Sequence, residues 1–169
     1  MFESRVLGVD PGLARLGLAV VEGNGREAVL IWAGAVETPS GSEESERLRD
    51  LCVAMREAIS IHRPDSVAVE RVAWNKNQVS ALTVARATGA IMVVAADAGL
   101  PVAEYGPNEV KIAVTGMGNA DKEQVRRALV KVHGLKEVPT QADAADAVAV
   151  ALTHLVGARL RSLARSGSR

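Results

Sequence analysis

One cysteine in 169 residues excludes an internal disulfide, and Cys52 lies on an apolar helical pattern, where a thiol serves as a small buried side chain. Net charge is also missing. Twenty Lys and Arg balance twenty Asp and Glu, so any polyanion site has to come from local segregation of charge. That segregation is visible: residues 37 to 50 hold Glu37, Glu43, Glu44, Glu46 and Asp50, whereas the last thirteen residues hold Arg159, Arg161, Arg165 and Arg169 with no acid. No uninterrupted apolar run reaches the roughly 20 residues of a membrane span, and no leader-like stretch precedes the first strand. The expectation is a cytoplasmic protein with no membrane partner. The chain is too short for a bilobed enzyme, yet its 48% apolar content can fill one core. The expected organisation is a single domain over residues 1–157 followed by a basic, flexible tail over 158–169.

What is present is organised around Val6-Leu-Gly-Val-Asp10-Pro-Gly-Leu-Ala-Arg-Leu-Gly17. The apolar run suits a buried strand, and Pro11 and Gly12 end it, leaving Asp10 at its carboxyl end. Leu16–Val21 follows closely enough to form an antiparallel hairpin, and residues 27 to 37 read as a third strand reached through Gly23-Asn-Gly25. Leu48, Leu51, Met55 and Ile59 then recur at helical spacing from about Glu44 until Arg63-Pro64 stops them. Ser66–Glu70 is a short strand that has to lie beside the first by a crossover, and it too ends in a carboxylate. Residues 71 to 77 form a polar loop carrying Trp74. From Gln78 to Ala98 the pattern is helical but apolar nearly all round, as expected of a helix covered on more than one side, with a second copy of the chain the economical cover. Leu100–Tyr105 is a fifth strand, and Pro107–Val114 leads into the Gly-rich hinge Thr115-Gly-Met-Gly-Asn119. A further helix follows, with Asn119 as its expected cap and Arg126 and Arg127 on its surface. A last helix opens near Thr140 and runs to the arginine-rich tail. This order predicts an α/β fold: a mixed five-stranded sheet, three antiparallel strands and then parallel additions, with helices on both faces.

Asp143 and Asp146, three apart, project roughly 60° from one another and share one helix face. Either could be a helix-start acid, and Asp10 could simply close a turn. Combination is what gives them chemistry. Asp10 and Glu70 end strands expected to be parallel neighbours, and the last helix can bring Asp143 and Asp146 to the same sheet edge. Four acids there repel one another unless a cation neutralises them, and Mg²⁺ is the hard ion suited to oxygen ligands and substrate phosphate. Two such ions about 4 Å apart serve in-line displacement at a phosphodiester, with water as nucleophile. His62, His133 and His154 have no partner at ligand spacing and read as structural. Lys111, Lys122 and the Arg126–Arg127 pair could grip phosphates, and Trp74 could stack on an unpaired base.

VDPG near the start, VE at 69–70, SAL at 80–82, EY at 104–105, VK at 110–111 and QADAADA at 141–147 followed by TH together resemble the RuvC family of bacterial Holliday-junction resolvases. The resemblance covers about residues 5 to 155. It implies an RNase H-like fold, a homodimer formed through helix 78–98, and paired symmetric Mg²⁺-dependent nicks in four-way DNA junctions, with Mn²⁺ able to substitute. It further implies work alongside the RuvA–RuvB branch-migration complex. By motif, Asp10, Glu70, Asp143 and Asp146 match the family's catalytic, metal-holding acids, and Lys111 and Lys122 its essential lysines. Trp74, Arg71, Lys76, Asn77 and Arg86 are the further DNA-contact candidates. The family's phenylalanine three residues after the catalytic glutamate falls on Ala73 here, and the adjacent Trp74 is expected to take over its stacking. The family's Gln-Ala-Arg-Gly on the long helix is altered to Arg86-Ala-Thr-Gly89.

Two other classes compete. A non-catalytic junction-binding module gives no reason for four acids at one edge. An actin-like ATPase or kinase also uses an early Asp-x-Gly turn but needs two lobes.

Overall fold

The computed structural model describes residues 4–24, 27–72 and 78–166. Its sheet has the order β3-β2-β1-β4-β5, with β1 (Ser4–Asp10), β2 (Arg15–Gly23), β3 (Ala28–Glu37), β4 (Ser66–Glu70) and β5 (Val102–Tyr105). β1 pairs with β2 antiparallel, bringing Asp10 opposite Gly17, and β2 pairs with β3 in the same sense. β4 then lies parallel to β1, and β5 parallel to β4. The crossover expected from the helix between β3 and β4 is therefore present. It brings the carboxyl ends of β1 and β4 to one edge.

Alternation along the strands divides the interior in two. Leu7, Val9, Val67 and Val69 pack with Leu51 and Met55 of α1 (Glu44–His62) and Ala87 and Ile91 of α2 (Gln78–Asp97). Val6 and Ala68 face the other way, toward α3 (Pro107–Thr115), α4 (Lys122–Lys131) and α5 (Ala142–Ser166). With period-2 alternation, Asp10 and Glu70 fall on this second face, beneath α5. Arg63 ends α1 in the left-handed conformation at φ 48°, its N–H donating to the Ile59 carbonyl, where Pro64 forbids continuation.

Two local expectations are corrected. Pro107–Val114 is a helix in its own right: Pro107 fits a first helical position, and the Glu109 carboxylate accepts the Gly106 N–H at 2.6 Å. The cap of α4 is Asp121 rather than Asn119, because Asp121 Oδ1 accepts from the Gln124 N–H at 2.8 Å while Gln124 Oε1 accepts from the Asp121 N–H at 2.9 Å. α5 continues as helix to Ser166, past residue 157.

α2 is the one described helix long and apolar enough to cross a membrane by length and composition, with mean hydropathy 1.3 over Ser80–Asp97. Its Ala87, Ile91 and Ala95 are nonetheless inside the core, while Leu82 and Val93 are 52% and 59% exposed.

Candidate active site

Two glycines place α5. A Cβ at Gly8 would collide with the main-chain oxygen of Ala147 and come within 2.8 Å of Ala151 Cβ, and one at Gly17 would collide with the main-chain oxygen of Asp143. The helix therefore rests on the backbone of β1 and β2. Its first turns, carrying Asp143 and Asp146, sit directly over the strand ends that carry Asp10 and Glu70.

The four acids interact as one group. The Asp10 carboxyl is pushed up to about 8, first by burial, then by the charges of Glu70 and Asp146, and less by Asp143. Glu70 is also held above the usual carboxylate range by burial, with Asp146 adding to the rise; its hydrogen bond with Asp10 and the charges of Lys122 and Lys111 pull it back. A hydrogen bond joins the Asp10 and Glu70 carboxyls. Lys122 answers the same charge from α4. Its Nζ donates to Asp146 Oδ2 at 2.8 Å, and that bond raises the ammonium's pKa against the opposing effect of partial burial. The Asp121 cap fixes the turn from which Lys122 projects.

Lys111 comes from α3, and a cavity of about 270 Å³ joins it to Glu70, Lys122 and Asp146 over an apolar floor that includes Val110 and Val150. Among the described residues, no three His, Cys, Asp or Glu side chains already stand at the spacing of a metal's ligand sphere. Asp146 is turned to Lys122 and Asp10 to Glu70 instead. The donor set still fits a hard cation: oxygen ligands only, half-buried, in mutual repulsion that a divalent charge would relieve.

The remaining candidates are placed as follows. Arg71 Nη2 donates to Glu109 Oε2 at 2.7 Å, tying the segment after β4 to the start of α3. Arg86 Nη1 donates to both carboxylate oxygens of Glu44, at 2.9 and 3.0 Å, between α2 and α1. Trp74, Lys76, Asn77 and the neighbouring Ala73 lie outside the described residues. Of the Arg126–Arg127 pair, Arg127 stays on the surface as expected and Arg126 is corrected. Arg126 is half-buried and donates to the carbonyls of Pro139 (2.7 Å) and Val138 (3.0 Å), stapling α4 to the loop before α5, and Arg127 pairs with Glu123. The histidines have structural contacts: His62 stacks on Trp32 with ring centroids 4.9 Å apart, His133 Nε2 meets the Val114 carbonyl at 2.9 Å, and His154 Nδ1 meets Tyr105 Oη at 2.9 Å.

Sequence reading passes over Gly8, Gly17 and Arg15. Arg15 bonds Glu37 at 3.2 Å and approaches Asp143 Oδ2 at 3.8 Å. The placement of Gly17, seven residues after Asp10 across a hairpin, is the available signal for the close packing.

Known proteins resemble this chain in sequence and in fold. The family model described as "Crossover junction endodeoxyribonuclease RuvC" matches residues 6–154. A protein of that name from Parafrankia sp. (strain EAN1pec) is 49% identical over 152 residues, covering 89% of this chain and 85% of the relative. One from Frankia casuarinae is 47% identical over 168 residues, covering 96% and 98%. The structure of Thermus thermophilus RuvC in complex with Holliday junction substrate superposes with a TM-score of 0.87 at 39% identity, over 93% of this chain and 96% of that one. A yeast mitochondrial Holliday junction resolvase shares the fold, at TM-score 0.71 and 13% identity. With this sheet order, and a family match that takes in β1, β4 and the site-forming part of α5, the chain belongs to the RuvC family of crossover junction endodeoxyribonucleases.

Proposed function

We propose that the chain resolves Holliday junctions by nicking two strands symmetrically, with Asp10, Glu70, Asp143 and Asp146 as its catalytic, metal-holding acids. The observation that carries this reading is the meeting of those four side chains from β1, β4 and α5 in one group, where burial first and then the neighbouring carboxylates raise Asp10 to about 8. Membership in an endonuclease family makes the chain an enzyme.

Two Mg²⁺ ions would be held by the four carboxylates, with Mn²⁺ as substitute; when bound they supply Lewis acidity toward the phosphodiester and activate water. The protein's part is to hold its acids close together and aimed, through α5 lying on Gly8 and Gly17. Lys122 and Lys111 bring positive charge to the edge of the same hollow, where it can offset charge developing on the phosphate. No protein nucleophile is used. Arg71, Trp74, Lys76, Asn77 and Arg86 supply DNA contacts around the junction point, with Trp74 stacking on an opened base in place of the phenylalanine missing at position 73.

A four-way junction offers two equivalent strands, and a homodimer offers two such sites. α2 is assigned as the contact because Leu82 and Val93 stay exposed on a helix whose opposite side is core. The nuclease domain is residues 1–157, with 158–169 a basic extension. The protein works in the cytoplasm alongside the RuvA–RuvB complex.

The test is incubation with a synthetic mobile four-way junction and Mg²⁺ or Mn²⁺. Paired nicked duplexes are the expected product. A retarded but uncut junction would reduce the protein to a binding module, and nucleotide hydrolysis would point to the ATPase class.

A further inference from the structure

The carboxylate group has a second flank. Beyond Asp143, away from the hollow that holds Lys111 and Lys122, lies an open groove of about 500 Å³ formed by the turn at Gly12–Ala14 with Arg15, Arg47, Ser80, Thr83 and Asp143 itself. The β1–β2 turn, the start of β2, α1, the start of α2 and the first turn of α5 build it. We propose that this groove takes the phosphodiester backbone of the cleaved DNA strand on the Asp143 side of the scissile phosphate, with Arg15 and Arg47 as its phosphate contacts. The proposal rests on the nuclease reading above and assigns the path of the substrate through that site.

A strand whose scissile phosphate lies among Asp10, Glu70, Asp143 and Asp146 has to leave in two directions. Glu70 and Asp146 line the hollow on one side, and Asp143 lines the groove on the other. The chemistry of the groove suits a backbone rather than a base: its two guanidinium groups are phosphate donors, and none of the described residues that line it is aromatic.

The groove is also braced. The buried Thr38 donates its hydroxyl to the Leu13 carbonyl at 2.6 Å and its N–H to the Ala14 carbonyl at 3.1 Å, and Arg47 Nε donates to Thr38 Oγ1 at 2.8 Å. This chain fixes the turn and the base of the Arg47 guanidinium together. Among the described residues, Arg47 makes no ion pair. Arg15 is held only loosely: its pair with Glu37 is well exposed on both sides, at 61% and 72%, and its approach to Asp143 is 3.8 Å. Exposed pairs of this kind contribute little and exchange readily for a phosphate. Moving Arg15 from Asp143 to DNA would also free that carboxylate at the moment substrate arrives.

The experiment measures junction binding against NaCl concentration in EDTA, where the DNA is not cut. The double variant Arg15→Gln/Arg47→Gln should lower the slope of log Kd against log[NaCl] by about 1.4 to 1.8, the value of two phosphate contacts at about 0.7 to 0.9 each. Arg15→Lys/Arg47→Lys should restore most of that slope, which separates lost contacts from a lost fold. Arg49→Gln removes one exposed charge from α1 roughly 200° round the helix from Arg47, and should leave the slope unchanged. A wild-type slope in the Gln double variant, or an equal fall in Arg49→Gln, overturns the groove assignment. Wild-type protein that neither binds nor cuts the junction overturns the nuclease reading beneath it, so the two failures are distinct.

Discussion

Gly17 and the main-chain oxygen of Asp143 are so close that no β-carbon fits between them. Since Gly17 also lies opposite Asp10 in the hairpin register, one small residue sets the separation of two of the proposed metal-holding acids. Substituting it has to lift the first turn of α5, and Asp143 and Asp146 move with it.

Gly17→Ala is therefore expected to lower stability by about 1 to 3 kcal/mol, as overpacking against backbone does. Junction cleavage by the protein that remains folded should fall by about 100-fold, the usual consequence of misplacing reacting groups by roughly an ångström. Thermal melting and single-turnover cleavage measure the two effects. A stable variant with wild-type cleavage would show that the close seat of α5 does not position the acids.

Lys122 separates function from stability in the opposite way. Its side chain is 76% exposed, and its bond to Asp146 bridges two elements already joined by other packing. Lys122→Gln is expected to leave the melting temperature within about 1 to 2 °C of wild type, given the small worth of exposed ion pairs. Single-turnover cleavage should drop by about 100-fold or more, in line with loss of one electrostatic contact to a developing charge. Lys122→Arg should recover part of the rate. Equal cleavage by the Gln variant would remove Lys122 from the site.

The raised pKa of Asp10 fixes the sign of a pH effect on the metal-free protein. An acid ionising near 3.8 when unfolded and near 8 when folded holds its proton longer in the native state. Between those two values the folded form binds more protons than the unfolded one, so this group's contribution to stability falls as pH rises, and it is fully lost above about 8. Metal-free wild type should accordingly melt several degrees lower at pH 8.5 than at pH 6, and Asp10→Asn, which cannot ionise, should flatten that difference while abolishing cleavage. A wild-type melting temperature that rises over this range in EDTA would contradict the crowding of carboxylates.

How much of this was legible from the residues depends on distance along the chain. The strand order followed from local pattern: a hairpin too short for a crossover, then a helix long enough to require one, so Asp10 and Glu70 were bound to share an edge. The boundaries of α1 and β4 were readable because Arg63-Pro64 and the carboxylate at Glu70 are strong punctuation. α3 was hidden because Pro107 reads as a breaker although it opens a helix, and its cap comes from a glycine backbone and Glu109 rather than a hydroxyl. Arg126 read as surface charge because helical periodicity places it on an outer face. Only the fold reveals that the loop at Val138 and Pro139 returns to take both of its terminal nitrogens. The seat of α5 on Gly8 and Gly17 was equally invisible, since a glycine in a strand does not announce what lies over it.

Asp146→Asn tests whether the acids act as metal holders or as mere surface charge. The substitution keeps an oxygen acceptor for Lys122 and removes one negative charge from a group that repels DNA, so junction affinity in EDTA should be unchanged or slightly tighter. Cleavage should be lost, because a neutral amide is a far poorer ligand for a hard cation. The same logic extends to a readout that needs no DNA. A cation that binds only the folded protein raises its stability by about 2.7 kcal/mol at 100 times its dissociation constant, so Mg²⁺ should raise the melting temperature of wild type. Asp146→Asn should need a much higher Mg²⁺ concentration for the same rise. If the variant lost junction binding to the same degree as cleavage, or responded to Mg²⁺ as wild type does, Asp146 would be a DNA-facing or structural residue, and the ion would have to be held without it.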